Sequence, residues 1–288
     1  MTICISVKVS EGVVLAADST ATIMGWIGNP EGERGEPGIL KTYDHARKLS
    51  HIKDYPIGTL SWGTYLIGSR SIESLINEYE YSLPSLVEET EKRKRSRKSA
   101  EVPFTFNVRE IANGLFQHIK KFYDAEFQNS KEKPELGILL SGYSSGQYFP
   151  EQWLFSLPNS TELITIRPDV NGKPDFGANW FGLTDAIVRL HHGRDDRMIK
   201  KLAEIFKVPE KEIFDLAREF EYPVFFNGMP LQDAIDYGTY MVNVEIGRFR
   251  FVIGAPLCGG EIDLAVITPN AFTWIDRKTW KTNHIYPK

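Results

Sequence analysis

Residues 3–9 alternate. Ile3, Ile5, Val7 and Val9 are apolar, and Cys4, Ser6 and Lys8 stand between them, the period-2 pattern of a half-buried strand. Ser10-Glu11-Gly12 reads as a turn, and Val13 to Ala17 is an unbroken apolar run suited to a strand covered on both faces. Together they predict a hairpin that returns Asp18 to within a residue or two of Thr2. A carboxylate directly after a buried strand is costly unless something pairs with it.

Downstream, Ile23 to Asp44 is rich in Gly and Pro and reads as a long loop, and Lys48–Ile52 and Ile57–Trp62 read as a strand pair. Helical apolar spacing runs from Tyr65 to Tyr79 and again, more clearly, from Val108 to Phe127. Leu136–Tyr143, Trp153–Leu157 and Leu163–Ile166 read as strands of an antiparallel meander. Phe181 to Leu190 leads into another helix, and two short helices are expected around Val208-Pro209 within residues 195–221. That pair reads as a lid or a subunit-contact element, since it is not basic enough to favour DNA binding. The last long helix follows Met229-Pro230, with Leu231, Ala234, Ile235, Met241 and Val242 on its buried face and Gly238 as a gap in the stripe. Residues 261–274 should close the chain as a hairpin.

Composition narrows the function classes. A net charge of −4 gives no reason to invoke nucleic acid or an anionic membrane, and 42% hydrophobic residues is ordinary for a globular chain. The run Glu91 to Lys98 is the strongest charge cluster, but it lacks interleaved aromatics and reads as a solvated insertion. No apolar run approaches the roughly 20 residues needed to span a bilayer. Cys4 and Cys258 are too few for a disulfide framework, so a cytoplasmic setting is expected. His191 and His192 point different ways on a helix and lack a third ligand at metal spacing; neither a metal nor a cofactor is expected.

Thr2 carries the candidate chemistry. Taken alone it is a strand-starting threonine. A second residue this small, however, normally allows the initiator Met1 to be removed, leaving an α-amine of pKa near ~8 beside its own hydroxyl. That makes nucleophile and general base one residue.

The stretch Thr2–Thr22, with Gly-Val-Val-Leu-Ala-Ala-Asp18-Ser-Thr at its centre, resembles the amino terminus of proteasome β-type subunits, which are N-terminal-nucleophile (Ntn) hydrolases. Arg47-Lys48-Leu-Ser-His-Ile and Gly58-Thr-Leu-Ser-Trp-Gly63-Thr64 are similar to that family's catalytic-lysine strand and the turn after it. Met229-Pro to Ile235 and Cys258-Gly-Gly to Ile267 resemble its late helix, glycine pair and closing strand. The resemblance implies an α+β fold, a four-layer α-β-β-α sandwich, in a single domain over 1–288 with insertions near 23–46, 82–106 and 190–228. It implies Thr2 as nucleophile, Lys48 beside it, Asp18 pairing with Lys48, and the Gly63 N–H facing the oxyanion. It also implies a peptide or amide substrate, a ring or stacked homo-oligomer, and a partner unfoldase as an open question. Two departures stand against full activity: Ala255 and Cys258 occupy the positions of the family's supporting acid and serine. A catalytically silent scaffold is therefore the alternative.

Overall fold

The computed structural model describes residues 2–27, 36–95 and 104–279. Strands β1 (Ile3–Val9) and β2 (Gly12–Ala17) form the expected hairpin. β3 (Ala21–Ile27) and β4 (Glu36–Tyr43) follow, then β5 (Leu49–His51), β6 (Ile57–Gly63), and the two-residue strands β7 (Leu66–Ile67) and β8 (Arg70–Ser71). Helices α1 (Ile72–Ser82), α2 (Leu86–Arg95) and α3 (Val108–Phe127) lead to β9 (Leu136–Gly142), β10 (Glu151–Leu157), β11 (Ile164–Thr165) and β12 (Gly177–Gly182). The chain continues through α4 (Asp185–His192), α5 (Asp196–Phe206), α6 (Glu210–Ala217) and α7 (Leu231–Phe251) to β13 (Asp263–Thr268) and β14 (Ala271–Asp276).

Two five-stranded antiparallel sheets organise the chain, in the orders β12-β1-β2-β13-β14 and β11-β10-β9-β6-β5. Three apolar clusters hold them. Ile3, Ile5 and Val7 of β1 pack with Ile187 of α4 and with Ala234, Met241 and Val242 of α7. Cys4, Val13, Leu15 and Ala17 pack with Leu49, Leu60, Trp62 and Leu139 of the other sheet. That sheet's remaining apolar side chains, among them Ile138, Leu140 and Phe155, meet Leu75, Leu115 and Ile119 of α1 and α3. A buried Leu or Ile in such a cluster contributes about 1.5–3 kcal/mol relative to exposure.

The alternation in β1 is real, but its polar face does not meet water. All seven of its residues are buried, because the Cys4–Ser6–Lys8 face is turned toward the second sheet or its rim. Those groups are paired instead: Gln152 Nε2 donates to Ser6 Oγ, and Lys8 Nζ donates to the Arg167 carbonyl at 2.9 Å and to Asp169 at 3.3 Å. Buried polar groups survive in a core only on such terms.

Two further expectations change. Residues 23–44 are not simply a loop, since β3 and β4 pair across them; residues 28–35 lie outside the described residues, as do 96–98 of the charged run. The helix expected from Tyr65 starts only at Ile72. Gly68 (φ +60°) turns residues 66–71 into a small hairpin first, and Ser71 Oγ caps the helix by accepting from Ser74 N at 3.1 Å. On α7 the structure buries Ala234, Gly238, Met241 and Val242 as expected and half-buries Leu231 and Ile235, and it adds Glu245 and Phe249. Glu245 is fully buried because it caps α4, accepting from Ala186 N at 2.8 Å and Ile187 N at 3.3 Å.

Candidate active site

The hairpin register decides the start of the site. Cys4 pairs with Ala17, so Asp18 falls opposite Ile3, one residue from Thr2. Asp18 N donates to the Ile3 carbonyl at 3.2 Å, and Asp18 Oδ1 accepts from Ile3 N at 3.0 Å. Thr2 itself is buried, with its carbonyl accepting from Leu183 N at 2.6 Å. Gly182 makes that approach feasible: at φ +85°, a Cβ there would lie 2.0 Å from the Thr2 carbonyl oxygen.

The Asp18 side chain, 0% exposed, is met by four donors. Lys48 Nζ reaches Oδ1 at 2.6 Å beside Ile3 N, while Thr20 N (3.2 Å) and Gly259 N (3.0 Å) reach Oδ2. Lys48 Nζ also donates to the Thr20 carbonyl at 2.6 Å. Lys48, only 5% exposed, is therefore turned inward. A buried ion pair is tolerated when further hydrogen bonds surround it, as the three backbone donors to Asp18 and the Thr20 carbonyl at Lys48 do here.

Thr2, Lys48, Ser61, Trp62, Gly63 and Thr64 line one small pocket, with Ala21, Thr22, Tyr65 and Ile72 completing its wall. Trp62 stacks on Phe181 of the opposite sheet at 4.4 Å between centroids, which fixes the pocket's floor relative to β12. Gly63 sits at φ +92°, and a Cβ there would lie 2.2 Å from the Glu135 carbonyl oxygen. No other residue fits that turn.

Three of the four sequence-derived candidates (Thr2, Lys48 and Gly63) thus line one pocket, and Asp18 stands behind Lys48. Met1 lies outside the described residues. The nearby thiols are buried. Burial raises the pKa of Cys4 well above the ordinary thiol value, and that of Cys258 is pushed up to about 12 by burial and then by the Asp18 and Glu245 charges. Neither is a ready nucleophile. Ala255 lies exposed beyond the end of α7. Among the described residues, no group of three or more His, Cys, Asp or Glu could hold a metal ion, and no helix is long and apolar enough to cross a membrane.

Sequence reasoning missed the backbone partners of the ion pair, the Gly259 N–H and the Thr20 carbonyl, which no side-chain pattern announces. It also missed a second buried pair, Lys278 Nζ to Asp263 at 2.7 Å.

The fold is similar to that of Anbu. A solved structure of an Anbu Gly-1 mutant from Hyphomicrobium sp. strain MC1 superposes with a TM-score of 0.52, covering 98% of this chain and 88% of that one at 15% identity. The sequence matches no protein-family profile and no curated protein. At that identity the Anbu likeness speaks to fold alone. The chain is a mixed α/β protein built on antiparallel sheets, with a counterpart among solved structures.

Proposed function

We propose that the chain is a proteasome-like N-terminal threonine hydrolase acting on peptide or other amide bonds, folded as one domain in a four-layer α-β-β-α sandwich. The observation that carries the reading is the buried Asp18–Lys48 pair beside a pocket that Thr2, Lys48 and Gly63 share. A scaffold has no need to hold a desolvated ammonium next to a strand-starting threonine, because a buried pair contributes little to stability by itself.

In this reading, removal of Met1 frees the Thr2 amine. The amine takes the proton from Thr2 Oγ as the oxygen attacks the substrate carbonyl. The tetrahedral oxyanion points at the Gly63 N–H, an interaction worth roughly 3 kcal/mol in comparable sites. Collapse breaks the C–N bond, the proton passes to the leaving amine, and an ester to Thr2 remains. Water, deprotonated by the same amine, hydrolyses the ester and regenerates the hydroxyl. Lys48 favours the deprotonated forms of amine and hydroxyl through its charge, and Asp18 holds its orientation.

We place the protein in the cytoplasm and in a homo-oligomer, ring or stacked, leaving a partner unfoldase as a matter for experiment. Exposed apolar side chains in the inserted segment 190–228 support subunit contact: Phe206 at the end of α5 is 64% exposed, and Phe220 (72%) and Phe225 (80%) follow α6. One observation favours the scaffold alternative: Ala255 offers no carboxylate where the family keeps its supporting acid. A peptide epoxyketone separates the two. The hydrolase takes up one adduct at Thr2, and Thr2→Ala and Lys48→Ala each abolish it. Labelling that survives Thr2→Ala removes the nucleophile assignment.

A further inference from the structure

Beneath the Asp18–Lys48 pair lies a second buried ammonium. Lys278 follows β14 in sequence, yet its side chain is only 4% exposed. Its Nζ meets three acceptors at 2.7 Å each: Asp263 Oδ2 on β13, Ser19 Oγ, and the Ala46 carbonyl. The Lys278 backbone N–H donates to the same Asp263 carboxylate at 3.0 Å.

Ser19 and Ala46 are informative partners. Ser19 is the residue after Asp18, and Ala46 stands two before Lys48. Every polar atom of Ser19 is engaged. Its N–H donates to the Gly259 carbonyl at 2.9 Å, its carbonyl accepts from Ala46 N at 2.9 Å, and its hydroxyl donates to the Glu261 carbonyl while accepting from Lys278. The segments bearing Asp18 and Lys48 are thus clamped to each other and to β13 through one ammonium. The Lys278 pKa falls with burial, and the hydrogen bond and charge of Asp263 act against that fall. A surface lysine incurs no such desolvation cost, so its burial needs a structural return.

We infer that Lys278 is a positioning residue for the Thr2 site: together with Asp263 it locks residues 18–20 against residues 46–48 and so fixes where the Lys48 ammonium stands relative to Asp18 and Thr2. The inference rests on the threonine-hydrolase reading for its catalytic consequence, and on geometry alone for the clamp.

The test uses the full chain with Lys278→Met and with the double variant Asp263→Asn/Lys278→Met, which leaves no lone buried carboxylate should the single variant fail to fold. Hydrogen exchange at the amides of Thr20, Ala46 and Gly259 should accelerate about tenfold, the equivalent of one hydrogen bond, while amides within α3 keep wild-type protection. Inactivation by a peptide epoxyketone should slow about tenfold in its maximal rate with the probe's apparent affinity unchanged, since the pocket wall is intact and only the reacting groups are displaced. Wild-type exchange in the folded double variant overturns the clamp. A weakened affinity at unchanged maximal rate overturns the positioning role. A wild-type protein that takes no label overturns the Thr2 reading, while faster exchange in the variants would still uphold the clamp on the Asp18–Lys48 pair.

Discussion

Asp18→Asn isolates the centre of the site with almost no change of shape. The carboxylate presents two acceptor oxygens, each used twice: Oδ1 by Ile3 N and Lys48 Nζ, Oδ2 by Thr20 N and Gly259 N. An amide offers one acceptor oxygen and an NH2 that donates. Keeping the oxygen toward Lys48 is the better choice, so the Thr20 and Gly259 N–H groups then face another donor. Two orphaned buried donors cost about 4 kcal/mol together, taking about 2 kcal/mol for each. Loss of the carboxylate charge beside Lys48 adds to that. At about 2.1 cal/mol/K of unfolding entropy per residue, 288 residues convert about 4 kcal/mol into a fall in Tm of about 7 °C. Calorimetry of the two purified proteins reads this directly, and epoxyketone labelling of the folded variant should be lost. A Tm within about 2 °C of wild type would refute the four-donor account of Asp18, and retained labelling would refute its part in orienting Lys48.

Other positions give independent outcomes. Gly63→Ala forces a left-handed backbone on a residue with a Cβ, at about 1–2 kcal/mol, and adds the clash with the Glu135 carbonyl; a loss of at least about 2 kcal/mol in urea unfolding is expected, with labelling reduced further than stability explains. Glu80 is half-buried with Oε1 lacking a partner, and burial, opposed by Lys53, pushes its pKa from 4.5 up to about 7. Because the folded value is the higher one, its contribution is intact below about pH 4.5 and is lost as pH rises through about 7. Glu80→Gln should therefore gain about 1–2 kcal/mol relative to wild type between pH 4.5 and pH 8, discounted for partial solvent screening, and a constant difference across that range would contradict it.

Local patterns carried much of the architecture. Alternation in residues 3–9 and the apolar run 13–17 were enough to set Asp18 beside Thr2, and the amphipathic stretch 108–127 is helix α3 from end to end. That neither face of β1 meets water was not legible, because burial of Ser6 and Lys8 depends on Gln152 and Asp169, more than a hundred residues away. The same holds for Lys278, whose partner Ser19 lies 259 positions earlier. Residues 66–71 misled for a different reason: two-residue strands are too short to interrupt a helical spacing, and only the turn at Gly68 breaks it. Glu245 sits on an apolar stripe where periodicity alone would place a hydrophobe, and its caps on α4 explain it.

The central claim is that Thr2 is exposed by processing and is the nucleophile. Intact-mass measurement of the purified protein, before and after a peptide epoxyketone, tests it most directly. The account predicts a chain lighter than its sequence by one methionine residue, which then gains a single adduct mapped to Thr2. A chain that keeps Met1, or that loses it and gains no adduct, would contradict the claim.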